Sequence, residues 1–319
     1  ELWGMLFHTE AVLGKGGWST VYKLRRVRVE QGALDDLDTQ SLSALKVLTH
    51  ASAWELHVSS RIHREVSAAA RASLLELRCG LELPDTTLLL ADYAHQHSLQ
   101  DLINAYRRSG KKMDEHVVVF FAIEILRVVA ELHGIGVLHG DLKPDNILLR
   151  DDDPSAHADW EYAPQNGFSS KGVMLIDYGC AIDRRLYAEG VAFHGRSRTS
   201  SFECPEMQAG EAWAEQVDLF AVAGVVHCLL HAEYMELAPA PQQPAAFMPK
   251  LPLKRYWQVE MWTALFDSLI NSCARGSPPD LRAAREGLEQ FFEGKGAGKR
   301  QGMRMALIKQ SILLDQYAA

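Results

Sequence analysis

The spacing of apolar residues changes along the chain and first predicts a β-rich region. From residue 5 to residue 50, apolar and polar positions alternate, and β-branched residues cluster in Ser19-Thr-Val-Tyr22 and Ala44-Leu-Lys-Val47. A period of two with β-branched residues indicates antiparallel strands. Residues 52–77 are rich in Ala, Leu, Glu and Arg, which favour helix. Residues 86–91 form a short apolar run that is typical of a buried strand.

The rest of the chain predicts mainly helix. Apolar residues follow a helical spacing over residues 99–133, and helices are expected to dominate again beyond residue 205. Short apolar runs at residues 147–149 and 173–176 indicate two further strands. A β-rich beginning followed by a helical remainder predicts an α+β fold with two lobes.

Two segments interrupt these elements and are interpreted as loops. Residues 150–172 are acidic and contain Pro and Gly, and residues 238–249 contain four prolines. We expect the first lobe to span residues 1–91 and the second to span residues 92–319, within one domain. Because the chain begins at Glu1 rather than at Met, we also expect it to be the C-terminal part of a longer protein.

Composition narrows the possible partners and compartments. The formal net charge of −8 argues against direct nucleic-acid binding, and the one basic stretch, residues 295–304, is expected to be solvated. No apolar run is long enough to predict a membrane span. Five widely spaced cysteines without a Cys-x-x-Cys pair favour reduced thiols, as in the nucleus or cytosol.

A glycine-rich segment between two predicted strands is the first candidate for chemistry. Gly14-Lys-Gly16-Gly-Trp-Ser19-Thr-Val21 could fold tightly over phosphate groups, although a simple glycine-rich turn fits the segment alone. Lys46 alternates with apolar neighbours and could reach those phosphates, although most single lysines face solvent. The candidate nucleotide-binding residues are Gly14, Gly16, Gly17, Ser19, Val21, Ala44, Lys46, Asp92 and Ala94.

The strongest candidate is the segment His139-Gly-Asp141-Leu-Lys143-Pro-Asp-Asn146. It matches the catalytic loop of protein kinases at all functional positions but one, although each residue alone would fit a polar loop. In that interpretation Asp141 accepts the proton of the substrate hydroxyl. Lys143 stabilises the transferring phosphoryl group, and Asn146 binds a metal ion.

Two further motifs follow in the order that protein kinases have. Ile176-Asp-Tyr-Gly179 places Asp177 36 residues after Asp141, where it would chelate Mg²⁺. Pro205-Glu206 occupies the position that closes the activation segment, and Asp218 is expected to bind the catalytic-loop backbone. Each motif is weak alone, but their common order predicts a protein kinase fold that uses ATP and Mg²⁺.

Several stretches resemble the Bub family of spindle-checkpoint kinases and pseudokinases. Gly140 stands where most kinases have Arg, Trp54-Glu55 follows Lys46, and Phe202-Glu-Cys204-Pro-Glu206-Met207 closes the activation segment. The resemblance implies a nuclear, kinetochore-associated role with protein substrates or checkpoint proteins as partners, and a monomeric domain. It also favours Glu55 as the partner of Lys46, whereas general kinase spacing favours Glu65.

Two functions are compatible with these residues. A working serine/threonine kinase would use Lys46, Glu55, Asp141, Asn146 and Asp177, all of which are present. A catalytically silent domain that serves as a kinetochore scaffold is the alternative. Ser19 in place of the third loop glycine, the bulky Trp18 and the long acidic segment permit this alternative. Because Gly140 lacks the arginine that binds an activation-loop phosphate, we expect packing of residues 180–207 to hold the active shape.

Overall fold

The computed structural model describes residues 2–27, 37–94, 97–151, 171–197, 199–241, 243–272, 277–293 and 297–317. Contacts between residues divide the chain into two compact units. The first unit comprises Glu1–Glu65 and Leu75–His95, and the second comprises Val66–Leu74 and Gln96–Ala319.

The first unit is a five-stranded antiparallel sheet with one helix. Its elements are β1 (Leu6–Lys15), β2 (Ser19–Val27), β3 (Leu37–Leu48), α1 (Trp54–Glu65), β4 (Leu77–Glu82) and β5 (Thr87–Asp92). The strand order is β1-β2-β3-β5-β4. The predicted hairpin region and the strand near residue 87 are therefore present. The helix predicted over residues 52–77 is shorter, and β4 begins where it was expected to end.

The two faces of this sheet carry different apolar clusters. On one face, Leu48 and Leu89 pack with Leu56 of α1. On the other face, Leu24, Leu45 and Leu90 form a second cluster. Because residues two apart in a strand share a face, Lys46 lies on the side of the sheet that α1 covers.

The second unit is mainly helical. Its helices are α2 (Ala68–Arg71), α3 (Leu99–Ser109), α4 (Glu115–Gly134), α5 (Pro205–Ala209), α6 (Gln216–His231), α7 (Val259–Ile270), α8 (Leu281–Glu293) and α9 (Ala297–Tyr317). Its strands are β6 (Val137–Leu138), β7 (Ile147–Asp151), β8 (Lys171–Leu175), β9 (Ile182–Asp183), β10 (Leu237–Ala240) and β11 (Gln243–Pro249). Helices α4 and α6 are buried on nearly all sides, as their apolar composition requires.

The helical pattern predicted over residues 99–133 is divided into two helices. Gly110 ends α3 in the left-handed conformation with φ +65°, which glycine adopts without strain. Asp114 is the N-cap of α4, and its carboxylate accepts a hydrogen bond from the His116 backbone N–H at 2.9 Å. The periodicity continues across this break because both helices turn apolar faces toward the same core.

Both predicted loops need correction. Residues 150 and 172 lie in β7 and β8, which pair with each other, and Arg150 is buried. Residues 152–170 of that segment lie outside the described residues. The segment over residues 238–249 is wrong as a loop, since β10 and β11 form an antiparallel hairpin. Its prolines are compatible with a two-stranded sheet, in which each strand has an unpaired edge.

The basic stretch that was predicted to be solvated lies in a helix over its described part, where Lys299 and Arg304 are partly exposed. Residues 297–304 belong to α9, in which Met303 is buried. Of the five cysteines, Cys79, Cys204 and Cys228 are free thiols, Cys180 is half-buried, and Cys273 lies outside the described residues. Within the described residues, no helix has the length and apolar character needed to cross a membrane.

Candidate active site

One face of the first unit's sheet gathers four of the predicted nucleotide-binding residues. Val21 of β2 is directly opposite Lys46 of β3. Ser19 and Ala44 precede these two residues by two positions in their strands, so all four share a face. Antiparallel pairing therefore brings the glycine-rich segment next to Lys46, although Ser19 and Lys46 are 27 positions apart in sequence.

The glycine-rich segment forms the turn between β1 and β2. Gly14 pairs with Val21, and the Gly16 N–H donates to the Ser19 carbonyl oxygen at 2.8 Å. A side chain at Gly14 or Gly17 would meet no atom within 4 Å. Trp18 at the tip is largely exposed. The structure therefore leaves the space beside these two glycines open to a phosphate group.

An ion pair fixes the predicted lysine. The Lys46 Nζ lies 3.0 Å and 2.8 Å from the two carboxylate oxygens of Glu55 in the first turn of α1. Both side chains are largely buried, with 14% and 6% exposure. Glu65, the alternative partner, lies at the end of α1, 3.5 Å from Arg61. The pair orients the ammonium group and satisfies it in a site with little water.

The two candidates at the end of β5 differ in what they can contribute. The Asp92 carboxylate accepts a hydrogen bond from Arg78 Nε at 3.0 Å and is largely exposed. Ala94 lies two residues beyond the strand. Since the Asp92 side chain binds Arg78, the backbone of this segment is the part that could hydrogen-bond a nucleotide base.

Asp218 of α6 binds the catalytic loop in the second unit, as predicted. Its carboxylate accepts hydrogen bonds from the backbone N–H groups of His139 at 2.8 Å and Gly140 at 2.9 Å. It also lies 2.9 Å from Nε2 of His133, a partner that sequence reasoning missed. Burial alone would raise the pKa of Asp218, but the hydrogen bond and charge of His133, with His139 and the Gly140 N–H, lower it.

The Asp141 carboxylate is the centre of a hydrogen-bond cluster. Lys143 Nζ donates to Oδ2 at 2.6 Å, and the Thr199 hydroxyl donates to Oδ1 at 3.2 Å. Lys143 also contacts the Thr199 hydroxyl oxygen at 3.1 Å. Thr199 was not predicted as a site residue, because a contact across 58 positions has no local signal. A threonine hydroxyl of this chain therefore lies within hydrogen-bonding distance of Asp141, the predicted base.

The two predicted metal ligands lie at the ends of adjacent strands. Asn146 precedes β7 and Asp177 follows β8, and the Ile176 N–H donates to the Asn146 carbonyl oxygen at 3.1 Å. The Asn146 amide donates to the Asp141 backbone oxygen at 2.8 Å, so its amide oxygen points away from that partner. Amide and carboxylate oxygens are the ligand types that Mg²⁺ takes.

Asp177 has an unusual backbone conformation. Its φ is +65°, in the left-handed region that few residues other than glycine adopt. The Gly179 N–H donates to its Oδ1 at 3.2 Å and supports this turn. Nearby, the ring of His139 donates from Nε2 to the Ile176 carbonyl oxygen at 3.1 Å. Local strain of this kind is concentrated at functional sites, which fits the predicted role of Asp177.

Gly140 has a structural reason to be glycine. Its φ is +76°, and a Cβ atom built there would lie 2.4 Å from the Cys180 carbonyl oxygen. An arginine at this position would therefore need both a left-handed backbone and a shift of the Cys180 backbone. The close approach joins the catalytic loop to the start of the activation segment.

Replacing Gly140 by alanine is expected to lower the free energy of unfolding by ~1–3 kcal/mol, from backbone strain and overpacking. Urea unfolding would measure the change. Gly134→Ala is the matched control, since that glycine ends α4 with open space around it and alanine favours helix. Equal stability of the two variants would show that the Cys180 contact does not constrain this position.

The end of the activation segment is well packed. Phe202, Cys204 and Met207 are buried. The Phe202 ring packs against Gly224 of α6 so closely that a Cβ atom built at Gly224 would lie 2.9 Å from the ring. Burial raises the pKa of the Cys204 thiol to about 12. Arg196 pairs with Glu203 at 2.6 Å. These contacts hold the described part of the segment through packing and an internal ion pair.

Comparisons with known proteins place the fold. The model of the protein kinase domain matches residues 7–246. In structure, the chain resembles the crystal structure of the BubR1 kinase domain, with a TM-score of 0.83 and 26% identity over 98% of this chain and 87% of that one. The predicted kinase fold, with a β-sheet N-lobe and a helical C-lobe, is confirmed.

The curated relatives are spindle-checkpoint kinases. The BUB1 mitotic checkpoint serine/threonine-protein kinase of Arabidopsis thaliana is 31% identical over 295 residues, which cover 92% of this chain and 54% of the relative. The BUB1 spindle assembly checkpoint kinase of Saccharomyces cerevisiae is 32% identical, with 84% and 26% covered. The bub1 kinase of Schizosaccharomyces pombe is 33% identical, with 86% and 28% covered.

The chain thus spans about half the length of the first of these relatives and about a quarter of the other two. The resemblance predicted from Gly140, Trp54-Glu55 and the Phe202–Met207 run is confirmed at the level of the kinase domain. On the domain match and the fold, the chain belongs to the protein kinase family, and its kinase domain is similar to those of the BUB1 and BubR1 checkpoint proteins.

Proposed function

We propose that this chain is an active protein serine/threonine kinase, which transfers the γ-phosphoryl group of Mg-ATP to a hydroxyl group of a protein substrate. The contact between the Thr199 hydroxyl and the Asp141 carboxylate carries the proposal. It supports Asp141 as a base, because a hydroxyl group already donates to this carboxylate in the geometry that proton acceptance requires.

The residues around Asp141 divide the chemistry between them. Asp141 orients the attacking hydroxyl and takes up its proton, while Lys143 places a positive charge 2.6 Å from that carboxylate. Phosphoryl transfer needs little covalent chemistry from the protein, so positioning and charge stabilisation account for most of the rate. Lys143 is placed to stabilise negative charge on the transferring group as well as to hold Asp141.

The residues Asn146 and Asp177 would hold the magnesium ion. The ion supplies charge neutralisation on the phosphate oxygens when it is bound. Asn146 is fixed by its amide donation to Asp141, and Asp177 is fixed by its turn with Gly179. Both ligands are thereby oriented by the chain itself rather than left free to rotate.

The first unit would hold the nucleotide. Glu55 keeps the Lys46 ammonium group in place, and Lys46 would contact the phosphate oxygens. The backbone N–H groups of the turn at Gly14 to Ser19 would cover the phosphates, with Val21 and Ala44 beside the base. The backbone near Asp92 and Ala94 would hydrogen-bond the base edge.

The cellular role follows from the relatives. The curated relatives are named as mitotic or spindle assembly checkpoint kinases. We therefore infer that this domain acts in the nucleus at kinetochores during chromosome segregation, on protein substrates or with checkpoint proteins. An inactive scaffold domain at the same location remains the alternative function, because Ser19 replaces the third loop glycine and Trp18 is exposed beside it.

Binding of Mg-ATP is expected to raise the melting temperature of the chain. At a concentration of about 100 times Kd, a ligand that binds only the folded state stabilises it by ~2.7 kcal/mol, which corresponds to roughly 4 °C for a chain of 319 residues. Differential scanning fluorimetry would measure the shift, and incorporation of labelled phosphate into a basic protein substrate would measure transfer. Loss of the shift on adding EDTA would show that the metal takes part.

Lys46→Met is the variant that separates the two functions. It removes the positive charge that pairs with Glu55. We therefore expect the rise in melting temperature on Mg-ATP binding to fall to less than half, and the rate of phosphate transfer to fall by roughly 10²-fold or more. Lys250→Met is the matched control, since Lys250 is exposed in a surface pair with Glu236 that contributes little. No shift for the unmodified chain at millimolar Mg-ATP would contradict an active kinase and support the scaffold.

A further inference from the structure

Two cavities adjoin each other in the second unit, away from the residues assigned to catalysis. The first has a volume of about 330 Å³ and lies between the end of α3 and the end of α6. The second has a volume of about 300 Å³ and lies against α9. Tyr106, Lys111 and Lys112 line both cavities, so they form the wall between them. Each volume is at the lower end of the range for ligand sites, roughly 300–1,000 Å³.

The cavities have an apolar floor and a cationic rim. Ile103, Met113 and Leu230 are buried at the bottom of the first cavity, and Leu313 is buried in the second. The rim side chains Arg107, Lys111, Lys112 and Lys309 are exposed. A buried apolar centre surrounded by exposed polar groups is the usual anatomy of a protein-binding surface.

Positive charge is concentrated here although the chain is acidic overall. Five cations line the two cavities: Arg107, Lys111, Lys112, Lys254 and Lys309. The lining carboxylates are two, Glu233 and Asp114, and Asp114 already caps α4 and contacts His116 at 2.7 Å. With a net charge of −8 for the whole chain, this is a local reversal of sign that attracts anions.

Two of the lysines that line the first cavity lack an ion-pair partner among the described residues. Neither Lys112 nor Lys254 forms an ion pair with any carboxylate in the described ranges. Burial and the neighbouring Lys112 ammonium group lower the pKa of Lys254 to about 8. The Lys254 ammonium group lies 4.8 Å from the centre of the Trp257 ring, which holds it beside the cavity. An anion placed between the two lysines would relieve their repulsion.

A buried polar atom of the first cavity also lacks a partner. His231 lines this cavity, and its Nε2 is buried without a hydrogen bond in the described structure. Burial, the neighbouring His227 and two lysines lower the pKa of His231 to about 4, so the ring is neutral at physiological pH. A neutral imidazole nitrogen could donate to or accept from a bound group, and pairing it would remove the cost of leaving a buried polar atom without a hydrogen bond.

We propose that these two cavities form a docking site for an acidic linear segment of a partner protein. In this arrangement an apolar side chain of the segment enters each cavity, and an anionic group of the segment binds Lys112 and Lys254. The anionic group is a phosphate or a carboxylate, since both match the lysine rim. The site uses none of the residues assigned to nucleotide binding or transfer, so it goes beyond the proposed kinase activity.

The test is a fluorescence-anisotropy titration of the whole chain, without nucleotide. The probe is a labelled peptide with a leucine on each side of a phosphoserine flanked by aspartates. Three further peptides replace the phosphoserine by serine, replace all acidic residues by lysine, or replace both leucines by serine. We expect binding of the acidic peptides, no binding of the lysine peptide, and at least tenfold weaker binding without the leucines.

The double variant Lys112→Glu/Lys254→Glu is expected to weaken binding by tenfold or more. Arg71→Glu is the matched control and should leave binding unchanged. Arg71 is exposed in α2, which lies near the C-terminal end of α4. The cavities lie near the N-terminal end of that 20-residue helix, so Arg71 is about 30 Å from them. Melting temperatures of all variants would verify folding, and Lys309→Glu replaces the double variant if that one unfolds.

Each remaining outcome decides the proposal. Binding of the phosphopeptide but not of the serine peptide identifies phosphate as the anion, and equal binding identifies carboxylates. Inorganic phosphate that competes at the same concentration as the peptide would overturn the peptide proposal in favour of a small anion. Absence of binding by every acidic peptide at millimolar concentration, or equal binding by the double variant, would overturn it altogether. Neither result depends on whether the chain transfers phosphate.

Discussion

Replacing Asp141 by asparagine is expected to lower kcat by about 10²–10⁴-fold, the range that a positioned acid or base contributes. Asparagine has nearly the same shape and keeps an oxygen that can accept a hydrogen bond, but it cannot take up a proton at neutral pH. Affinity for Mg-ATP should change by less than about threefold, because the residues proposed to hold the nucleotide are elsewhere. Single-turnover phosphate transfer and the thermal shift would measure the two quantities separately.

The control for this prediction is Asp315→Asn. Asp315 is exposed on α9, and the same change of charge and shape there should leave both kcat and nucleotide affinity unaffected. If Asp141→Asn retained more than about a tenth of the wild-type rate, Asp141 would not be the proton acceptor. The Lys143 and Thr199 contacts would then have only a structural meaning.

The catalytic motifs could be predicted from the sequence because their spacing is local. His139 to Asn146 lies within one loop, and the distance between Asp141 and Asn146 is set by five residues of backbone. The antiparallel pairing of β2 with β3 similarly follows from two alternating runs, and it places Val21 opposite Lys46. In both cases short-range geometry is sufficient, and no distant contact is needed to aim the side chains.

Other features of the structure could not be predicted from the sequence, because they depend on contacts between residues that are far apart in the chain. Nothing near Thr199 in sequence indicates that it reaches Asp141, and nothing near His133 indicates that it contacts Asp218, 85 positions later. The β10–β11 hairpin was missed because four prolines favour a loop on local propensity. Strand pairing and a contact from Asn271, which follows α7, override that propensity: the Asn271 amide oxygen accepts a hydrogen bond from the Phe247 N–H at 2.8 Å.

Helix α1 shows how the two kinds of information combine. General spacing and the Bub resemblance gave different partners for Lys46, and the pattern of apolar residues could not decide between them. In the structure, Leu56 packs with Leu48 and Leu89 on the Lys46 face of the sheet. That packing brings the start of α1 rather than its end to Lys46, so Glu55 forms the ion pair and Glu65 lies beside Arg61.

A buried carboxylate of α6 helps to hold the catalytic loop in place. Asp218 is fully buried, and its two oxygens hold the backbone of His139 and Gly140 while His133 lies beside it. Gly140 in turn contacts the Cys180 backbone, and Asp141 follows directly in sequence. The position of the proposed base therefore depends on α6, which contributes no group to the reaction.

Asp218→Ala is expected to lower the free energy of unfolding by ~3–5 kcal/mol, because it leaves two buried N–H groups and the His133 ring without their acceptor. Urea unfolding at pH 7 would measure this change, with Asp315→Ala as the control, for which a change within about 0.5 kcal/mol is expected. Hydrogen exchange should also become faster at the His139 and Gly140 amides, with less change at the centre of α4. Unfolding free energies within about 1 kcal/mol of each other for wild type and Asp218→Ala would show that α6 does not hold the loop.

The same carboxylate predicts a dependence on pH. The pKa of Asp218 is lowered in the folded state, so its contribution to stability is present above the unfolded-state pKa, about 3.9, and is lost as the pH falls through the folded pKa. The stability difference between wild type and Asp218→Ala should therefore shrink progressively below about pH 4. Unfolding curves at a series of pH values would test this, and a difference that grew in acid would mean that the carboxylate is not charged in the folded protein.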